Sequence, residues 1–239
     1  MTVLLLRLAG PLQSWGDSSR FARRETGTEP TKSGIVGLIA AAQGRRRTDP
    51  IEDLTRLVYG VRTEQPGRLT RDFQTARSLD GTRTMPLSYR YYLADAVFLA
   101  GLEADATLLD GIHEAVNSPA FPLYLGRRSC PPTGIVSLGI RHGTLAEVLR
   151  QEKWHASEHQ QKRTRVKRVE LPFVRDSLAA GERGDIIRDL PLSFDPERRE
   201  YDWRTIVHEP AVVVDNPFGV TDAPPPGSTH EPMALLEAR

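Results

Sequence analysis

The sequence predicts an α+β fold: a four-stranded antiparallel sheet with two helices on one face. Three observations carry it: short apolar runs of strand type, two segments of helical apolar period, and their order, strand, helix, strand, strand, helix, strand. Val3 to Leu8 is apolar on both faces apart from Arg7 and reads as a buried first strand. Thr31 then stands where an N-cap belongs, and Ile35, Leu38, Ile39 and Ala42 recur at i, i+3, i+4 and i+7 before Gly44 stops the helix. A short helix beginning near Asp49-Pro50 leads into a second strand over Val58 to Thr63. Tyr92 to Leu102 is apolar on both faces, which predicts one long central strand. Asp105 to Val116 turns Leu108, Leu109, Ile112, Ala115 and Val116 inward as a second helix, ended by Pro119, and Ile135 to Ile140 alternates as a fourth strand. This order is the split βαβ, ferredoxin-like arrangement.

Two regions decorate that core. Residues 65–90 form a polar insertion between the second and third strands, longer than a hairpin connection needs. Past Gly143, a helix over Leu145 to Gln151 and strands around Val166 to Val174, Ile186 to Phe194 and Ile206 to Val214 make a smaller unit. The expected organisation is a domain over 1–142 carrying the insertion, a small C-terminal domain over 143–221, and a loose proline-rich tail over 222–239.

With 39 % hydrophobic and 26 % charged residues, the chain can build a packed core and is not a disordered sequence. Its apolar runs are far shorter than the roughly 20 residues of a membrane helix. The opening Met1-Thr2-Val3-Leu4-Leu5-Leu6-Arg7 is too brief for a signal peptide. A single cysteine, Cys130, excludes an internal disulfide and a cysteine-rich zinc site. The expectation is a cytoplasmic protein without cofactor or membrane partner. The net charge of +1 hides an asymmetry: residues 195–239 hold nine acids and four bases, leaving 28 bases against 22 acids elsewhere. Arg20, Arg23, Arg24, Lys32, Arg45, Arg46 and Arg47 form one basic stretch, and Lys162, Arg163, Arg165, Lys167 and Arg168 another. Arginine outweighs lysine in the first, and its planar fork suits phosphate, although a solvated arginine-rich surface has the same composition.

Catalytic arrangements fail. Lys32-Ser33 resembles the end of a phosphate-binding P-loop, but Thr31 occupies the place of the required glycine. His155 and His159, four apart, could share a helical face, yet no glutamate follows His155 and no third ligand is evident. Cys130 lies beside Arg127 and Arg128 but has no histidine near it in sequence, so it reads as structural.

Three segments are more purposeful. Gly10-Pro11-Leu12-Gln13-Ser14-Trp15-Gly16 offers two hydrogen-bonding side chains and one stacking plane directly after the first strand. Pro30-Thr31-Lys32-Ser33-Gly34 gathers free backbone N–H groups, two hydroxyls and a lysine at a helix start, which serves equally as a phosphate seat or a plain capped helix. Tyr124-Leu125-Gly126-Arg127-Arg128-Ser129-Cys130-Pro131-Pro132 is a stiff loop presenting paired arginines. The insertion itself carries Arg68, Arg71, Arg77, Arg83 and Arg90 against Asp72 and Asp80, with Tyr89, Tyr91 and Tyr92 at its end.

"RLAGPLQSWG" at Arg7 to Gly16, "PTKSGIVGLIAAAQG" at Pro30 to Gly44, "RDFQT" at Arg71 to Thr75 and "YLGRRSCPPT" at Tyr124 to Thr133 resemble, in order and spacing, the CasD family of type I-E CRISPR Cascade subunits. The resemblance covers about residues 3 to 140. It implies a RAMP protein with a ferredoxin-like, RRM-like core, a projecting thumb at 65–90 and a smaller C-terminal region. It further implies a non-catalytic antiviral role: holding the crRNA 5′ handle, capping the backbone filament, contacting the backbone and large subunits, and meeting target DNA through the complex. Type I-C relatives cut RNA with histidine, lysine and tyrosine. Here His113 lies within an amphipathic helix with no histidine–lysine pair in the core domain, which agrees with the non-catalytic branch; metal-independent endoribonuclease processing of repeat RNA is the alternative. The expected RNA contacts are Gln13, Ser14, Trp15, Arg20, Arg23, Arg24, Thr31, Lys32, Ser33, Arg71, Arg77, Tyr89, Arg90, Tyr124, Arg127 and Arg128.

Overall fold

The computed structural model describes residues 1–16, 23–179 and 181–222. In chain order its elements are β1 (Thr2–Ala9), β2 (Leu12–Gln13), β3 (Arg23–Arg24), α1 (Lys32–Ala42), α2 (Glu52–Thr55), β4 (Val58–Gln65), β5 (Arg68–Gln74) and β6 (Ser88–Ala94). Then follow β7 (Val97–Ala104), α3 (Ala106–Asn117), β8 (Ser137–His142), α4 (Leu145–Gln151), α5 (Glu158–Arg163), β9 (Arg168–Asp176), β10 (Asp185–Ser193) and β11 (Glu200–Asp215). They make a mixed α/β protein with two sheets. The larger is seven-stranded, ordered β10-β11-β9-β4-β7-β1-β8, where the sequence predicted four strands. The extra three join because β4 has a free edge and β9 pairs along it, Gly60 opposite Arg175 and Arg62 opposite Phe173.

Alternation along β1 shows how the large sheet is buried on both faces. Leu4, Leu6 and Leu8 pack with Ile35, Leu38 and Ile39 of α1 and Leu109 and Ile112 of α3. Val3 and Leu5 point the other way, into a cluster with Leu145, Leu149, Trp154, Phe173 and Val212. Helix α4 therefore covers the face opposite α1 and α3, so the sheet lies between two helical layers. The helix starts are those the sequence gives: Thr31 Oγ1 accepts from Gly34 N at 3.2 Å, Asp105 accepts from Leu108 N at 2.9 Å, and Thr144 and Glu147 form a capping box. No helix among the described residues is long and apolar enough to cross a membrane.

The run from Tyr92 to Leu102 is not one strand. At Asp95 the backbone takes φ 56, its N–H donates to Pro11 O at 3.1 Å, and the chain passes from β6 in the second sheet to β7 in the first. Both halves are apolar because both pack on the core, so hydrophobicity alone could not mark the break. In the second sheet β6 pairs with β5 along its whole length on one side and with β2 and β3 on the other. The insertion is thus largely a β-hairpin.

The registers bring several chain ends together. Val97 at the start of β7 lies opposite both Ala9 and Gln65, the last residues of β1 and β4. β9 is antiparallel to β4, and Asp215 of β11 lies opposite Arg168 at the start of β9. The hairpin, the loop after β1, the loop before β8 and the start of β9 therefore share one end of the large sheet.

Candidate nucleic-acid interface

At that end, the segment after β1 turns inward. Gln13 is fully buried: its Nε2 donates to Leu8 O at 3.0 Å and Ala96 O at 2.7 Å, while its Oε1 accepts from Trp15 Nε1 at 3.0 Å. Every polar atom of that amide has a protein partner, and the Trp15 ring packs on Gly34 so closely that a Cβ there would lie 2.8 Å from Cε3. Ser14 is also buried, its Oγ donating to Tyr91 O at 3.3 Å. The side chains of Gln13, Ser14 and Trp15, expected as RNA contacts, are instead placed in the core of the free chain.

The start of α1, expected as a phosphate seat, is filled from within. Asp189 Oδ2 accepts from Lys32 N at 2.8 Å, and Lys32 Nζ donates to Asp176 Oδ2 at 2.8 Å. Arg204 closes the cluster, holding Asp189 with Nε at 2.5 Å and Nη2 at 2.9 Å and meeting Asp176 with Nη1. Thr31 Oγ1 caps the helix and accepts from Ser33 Oγ at 3.3 Å, so Thr31, Lys32 and Ser33 act as a capped, carboxylate-bound helix end. A cavity of about 160 Å³ beside this cluster is lined by Glu29, Tyr59, Asp189 and Arg204, and burial raises the Glu29 pKa above the ordinary carboxylate value.

The arginine pair divides. Arg127 Nη1 donates to Tyr91 O at 3.1 Å, and Nη2 to Arg24 O at 2.8 Å and Glu25 O at 3.2 Å, with the guanidinium 4.8 Å from the Tyr92 ring centre. It is a strut that ties the 124–130 loop to β6 and to the β3 segment. Gly126 makes the close approach possible: at φ +83 a Cβ would stand 1.7 Å from Ser14 O. Arg128 is exposed and carries no ion pair among the described residues, and Tyr124 is half-buried near it in sequence. Cys130 is buried, and its thiol pKa is pushed up by that burial. The two histidines of the sequence pair do not share a helix: His155 precedes α5, and its Nε2 lies 3.0 Å from Glu152 Oε1.

The second sheet presents what the loops do not. Directly opposed residues in adjacent strands point to one face, so Leu69, Arg71 and Phe73 share a face with Leu93, Tyr91 and Tyr89, and β3 adds Arg23 opposite Tyr89. On that face Arg71 lies 5.1 Å from the Tyr89 ring centre and Arg23 5.7 Å from that of Tyr91, while Arg23 Nη2 donates to Tyr91 OH at 3.2 Å. Phe73 is 68 % exposed. On the reverse face Arg24 and Arg90 are opposed, and Arg90 Nε is buried without a hydrogen-bond partner among the described residues. At the hairpin tip Arg77 is exposed and bridges to Thr84, around a turn in which Ser78 and Thr82 hold the Asp80 carboxyl down to about 2. Arginines laid over half-buried tyrosines beside an exposed phenylalanine give alternating cations and π-faces, the surface on which unpaired bases stack while phosphates find donors. The structure thus brings together Arg23, Arg71 and Tyr89 of the expected set. Arg20 lies outside the described residues, as does the tail beyond Asp222.

The family model described as CRISPR-associated protein (Cas_Cas5) matches residues 3–207, most of the chain. The chain belongs to the Cas5 family. It is 36 % identical over 157 residues to the CRISPR system Cascade subunit CasD of Escherichia coli K12, a match covering 57 % of this chain and 70 % of that relative. A solved structure described as a Cas protein superposes with TM-score 0.70 at 35 % identity over 92 % of this chain and all of that one. A chain of a CRISPR RNA-guided surveillance complex superposes with TM-score 0.73 at 30 % identity over 98 % of both chains. Two members of the exposed face of this Cas5 chain were left out of the expected contact set: Tyr91, read only as part of the insertion's aromatic end, and Phe73. Their signal was present: Tyr89 and Tyr91 stand at i and i+2, as do Arg71 and Phe73, the period of a strand face.

Proposed function

We propose that this Cas5-family chain is the guide-RNA-gripping subunit of a Cascade-type CRISPR surveillance complex, holding the single-stranded 5′ handle of the crRNA and serving in defence against foreign DNA. One observation carries the reading: the exposed face of the second sheet, where Arg71 over Tyr89 and Arg23 over Tyr91 alternate beside Phe73. The match to a Cascade subunit and to a chain of an RNA-guided surveillance complex supports crRNA and the other Cascade subunits as partners; in this reading target DNA is met through the assembled complex. The role is non-catalytic. His113 Nδ1 is engaged 2.7 Å from Ser137 Oγ in the packing of α3 on β8, and His155 faces Glu152, so neither histidine stands on the arginine–tyrosine face.

Within this reading β4-β7-β1-β8, with α1 and α3, is the ferredoxin-like unit of residues 1–142. Residues 143–221 extend its sheet, and the β5–β6 hairpin is the thumb. Handle RNA titrated against the full chain tests the function. Tyr89→Ala with Tyr91→Ala is expected to weaken binding at unchanged fold, and unaltered affinity would remove the face from the RNA path. Incubation with labelled repeat RNA tests the absence of catalysis. Specific metal-independent cutting that disappears in His113→Ala or His155→Ala would make the chain a processing enzyme instead.

A further inference from the structure

Five cations fall within seven residues at the junction of α5 and β9: Lys162, Arg163, Arg165, Lys167 and Arg168, all exposed. A block of like charge ordinarily repels itself into disorder. Here the backbone is pinned. Asn216, 5 % exposed, donates through Nδ2 to Gln161 O at 3.1 Å, Thr164 O at 2.6 Å and Val166 O at 3.1 Å. Arg165 O accepts from Val220 N at 2.8 Å and Thr221 N at 3.0 Å, and Lys167 N donates to Thr221 O at 2.7 Å. The side chains carry little of this structure. Lys162, Lys167 and Arg168 meet Glu158, Asp222 and Asp215 in exposed pairs of the kind that contribute little and exchange readily. Arg163 and Arg165 have no partner among the described residues.

The segment also lies beside the root of the hairpin. Gln65, the last residue of β4, accepts from Ser157 Oγ at 3.0 Å just ahead of α5 and donates to Asp95 O at 2.6 Å at the end of β6. We infer that residues 162–168 form a second phosphate-binding surface, contacting a nucleic-acid backbone beyond the arginine–tyrosine face through Arg163 and Arg165. A rigid backbone presenting unpaired guanidiniums gives such contacts at small ordering cost, because only the side chains remain to be fixed. The inference rests on the sheet reading above, and the phosphodiester backbone it takes belongs either to the guide RNA or to target DNA.

Full-chain protein with Arg163→Ala and Arg165→Ala is compared with wild type on three probes across a salt series: single-stranded RNA of about 8 nucleotides, which one binding face can cover, RNA of about 30 nucleotides, and a duplex DNA of about 30 base pairs. Binding of the short RNA is expected to be unchanged. On one long probe affinity should fall about tenfold, and the salt slope should drop by roughly 1.4 for the RNA or roughly 1.8 for the duplex, two phosphate contacts in either case. Loss on the long RNA assigns the surface to the guide, and loss on the duplex assigns it to target DNA. Unchanged slopes on both long probes, or an equal loss on the short one, would overturn the inference. Failure of wild type to bind the short RNA would count against the sheet reading instead.

Discussion

Arginine is buried against carboxylates on one flank of this molecule and laid over tyrosine rings on the other. On the β4–β9–β11 flank Arg62 is fully buried, with Nε on Glu64 at 2.6 Å and its other nitrogens on Glu152 O at 2.8 Å and Lys153 O at 2.7 Å just past α4. Arg175 bridges Glu182 at 2.6 Å and Glu209 at 2.7 Å, and Arg204 holds Asp176 and Asp189. These cations are satisfied, and nothing remains for a ligand. On the hairpin flank Arg23 and Arg71 keep exposed guanidiniums over rings that carry no charge, and Arg23 also meets Glu25 at 3.6 Å in an exposed pair. The difference teaches that the partner type decides an arginine's role: a carboxylate consumes its charge, whereas a π-face orients the fork and leaves it available.

Removing one member of the buried cluster should give the largest effect. Asp176 accepts from Lys32 Nζ at 2.8 Å and Tyr59 N at 3.0 Å besides Arg204, so Asp176→Ala strands the buried Lys32 ammonium and leaves Arg204 on Asp189 alone. The expected loss is about 3–5 kcal/mol in denaturant unfolding, against about 0.5 kcal/mol or less for the exposed Arg71→Ala. Similar losses for both would erase the distinction between the flanks. Next comes RNA affinity. Tyr89→Ala and Tyr91→Ala should each cost about 1–3 kcal/mol of binding if each ring stacks a base, with the melting temperature within a few degrees of wild type.

The arginine pair at the join of the two flanks sharpens the comparison further. Arg127→Ala removes three bonds to carbonyls and should cost about 1–3 kcal/mol of stability. Arg128→Ala should leave stability alone and lower the salt slope of RNA binding by about 0.7. Equal slope changes in both variants would restore the paired phosphate contact that the sequence implied.

The smallest effect is pH dependence on the carboxylate flank. Burial holds the His155 pKa below its ordinary value against the opposing hydrogen bond that His155 donates to Glu152. With the folded pKa lowered, the unfolded chain takes the proton first. Its contribution is therefore complete above about pH 6.5 and is lost as pH falls through that value towards the folded pKa. His155→Gln should flatten the melting-temperature profile over that acid window, and an unchanged difference between the two proteins at pH 7.5 and pH 5.5 would exclude it. Glu29 is common to both proteins and cancels in that difference.

Much of the large sheet was legible in the sequence. β1, α1, β4, α3 and α4 follow from apolar period and, for α1, from the cap at Thr31, while the caps at Asp105 and Thr144 came from the structure; local hydrogen bonds and side-chain spacing set all five. The break at Asp95 was not legible, since two strands buried in different sheets read as one apolar run. The pairing of β9 on β4 was hidden too, because an edge is satisfied by whichever distant strand reaches it.

For the site, the sequence by itself determined which residue types were available: arginines, tyrosines and a glycine-hinged loop in four short motifs. Only the tertiary structure decided what each one meets. Gln13 and Trp15 found each other and the core, Lys32 found Asp176, Arg127 found three carbonyls, and Arg71 found Tyr89. The physical reason is that a polar side chain's role is set by the partner that satisfies it once water is removed, and apart from Gln13's bonds to Leu8 and Trp15 those partners lie 18 to 144 residues away in the chain.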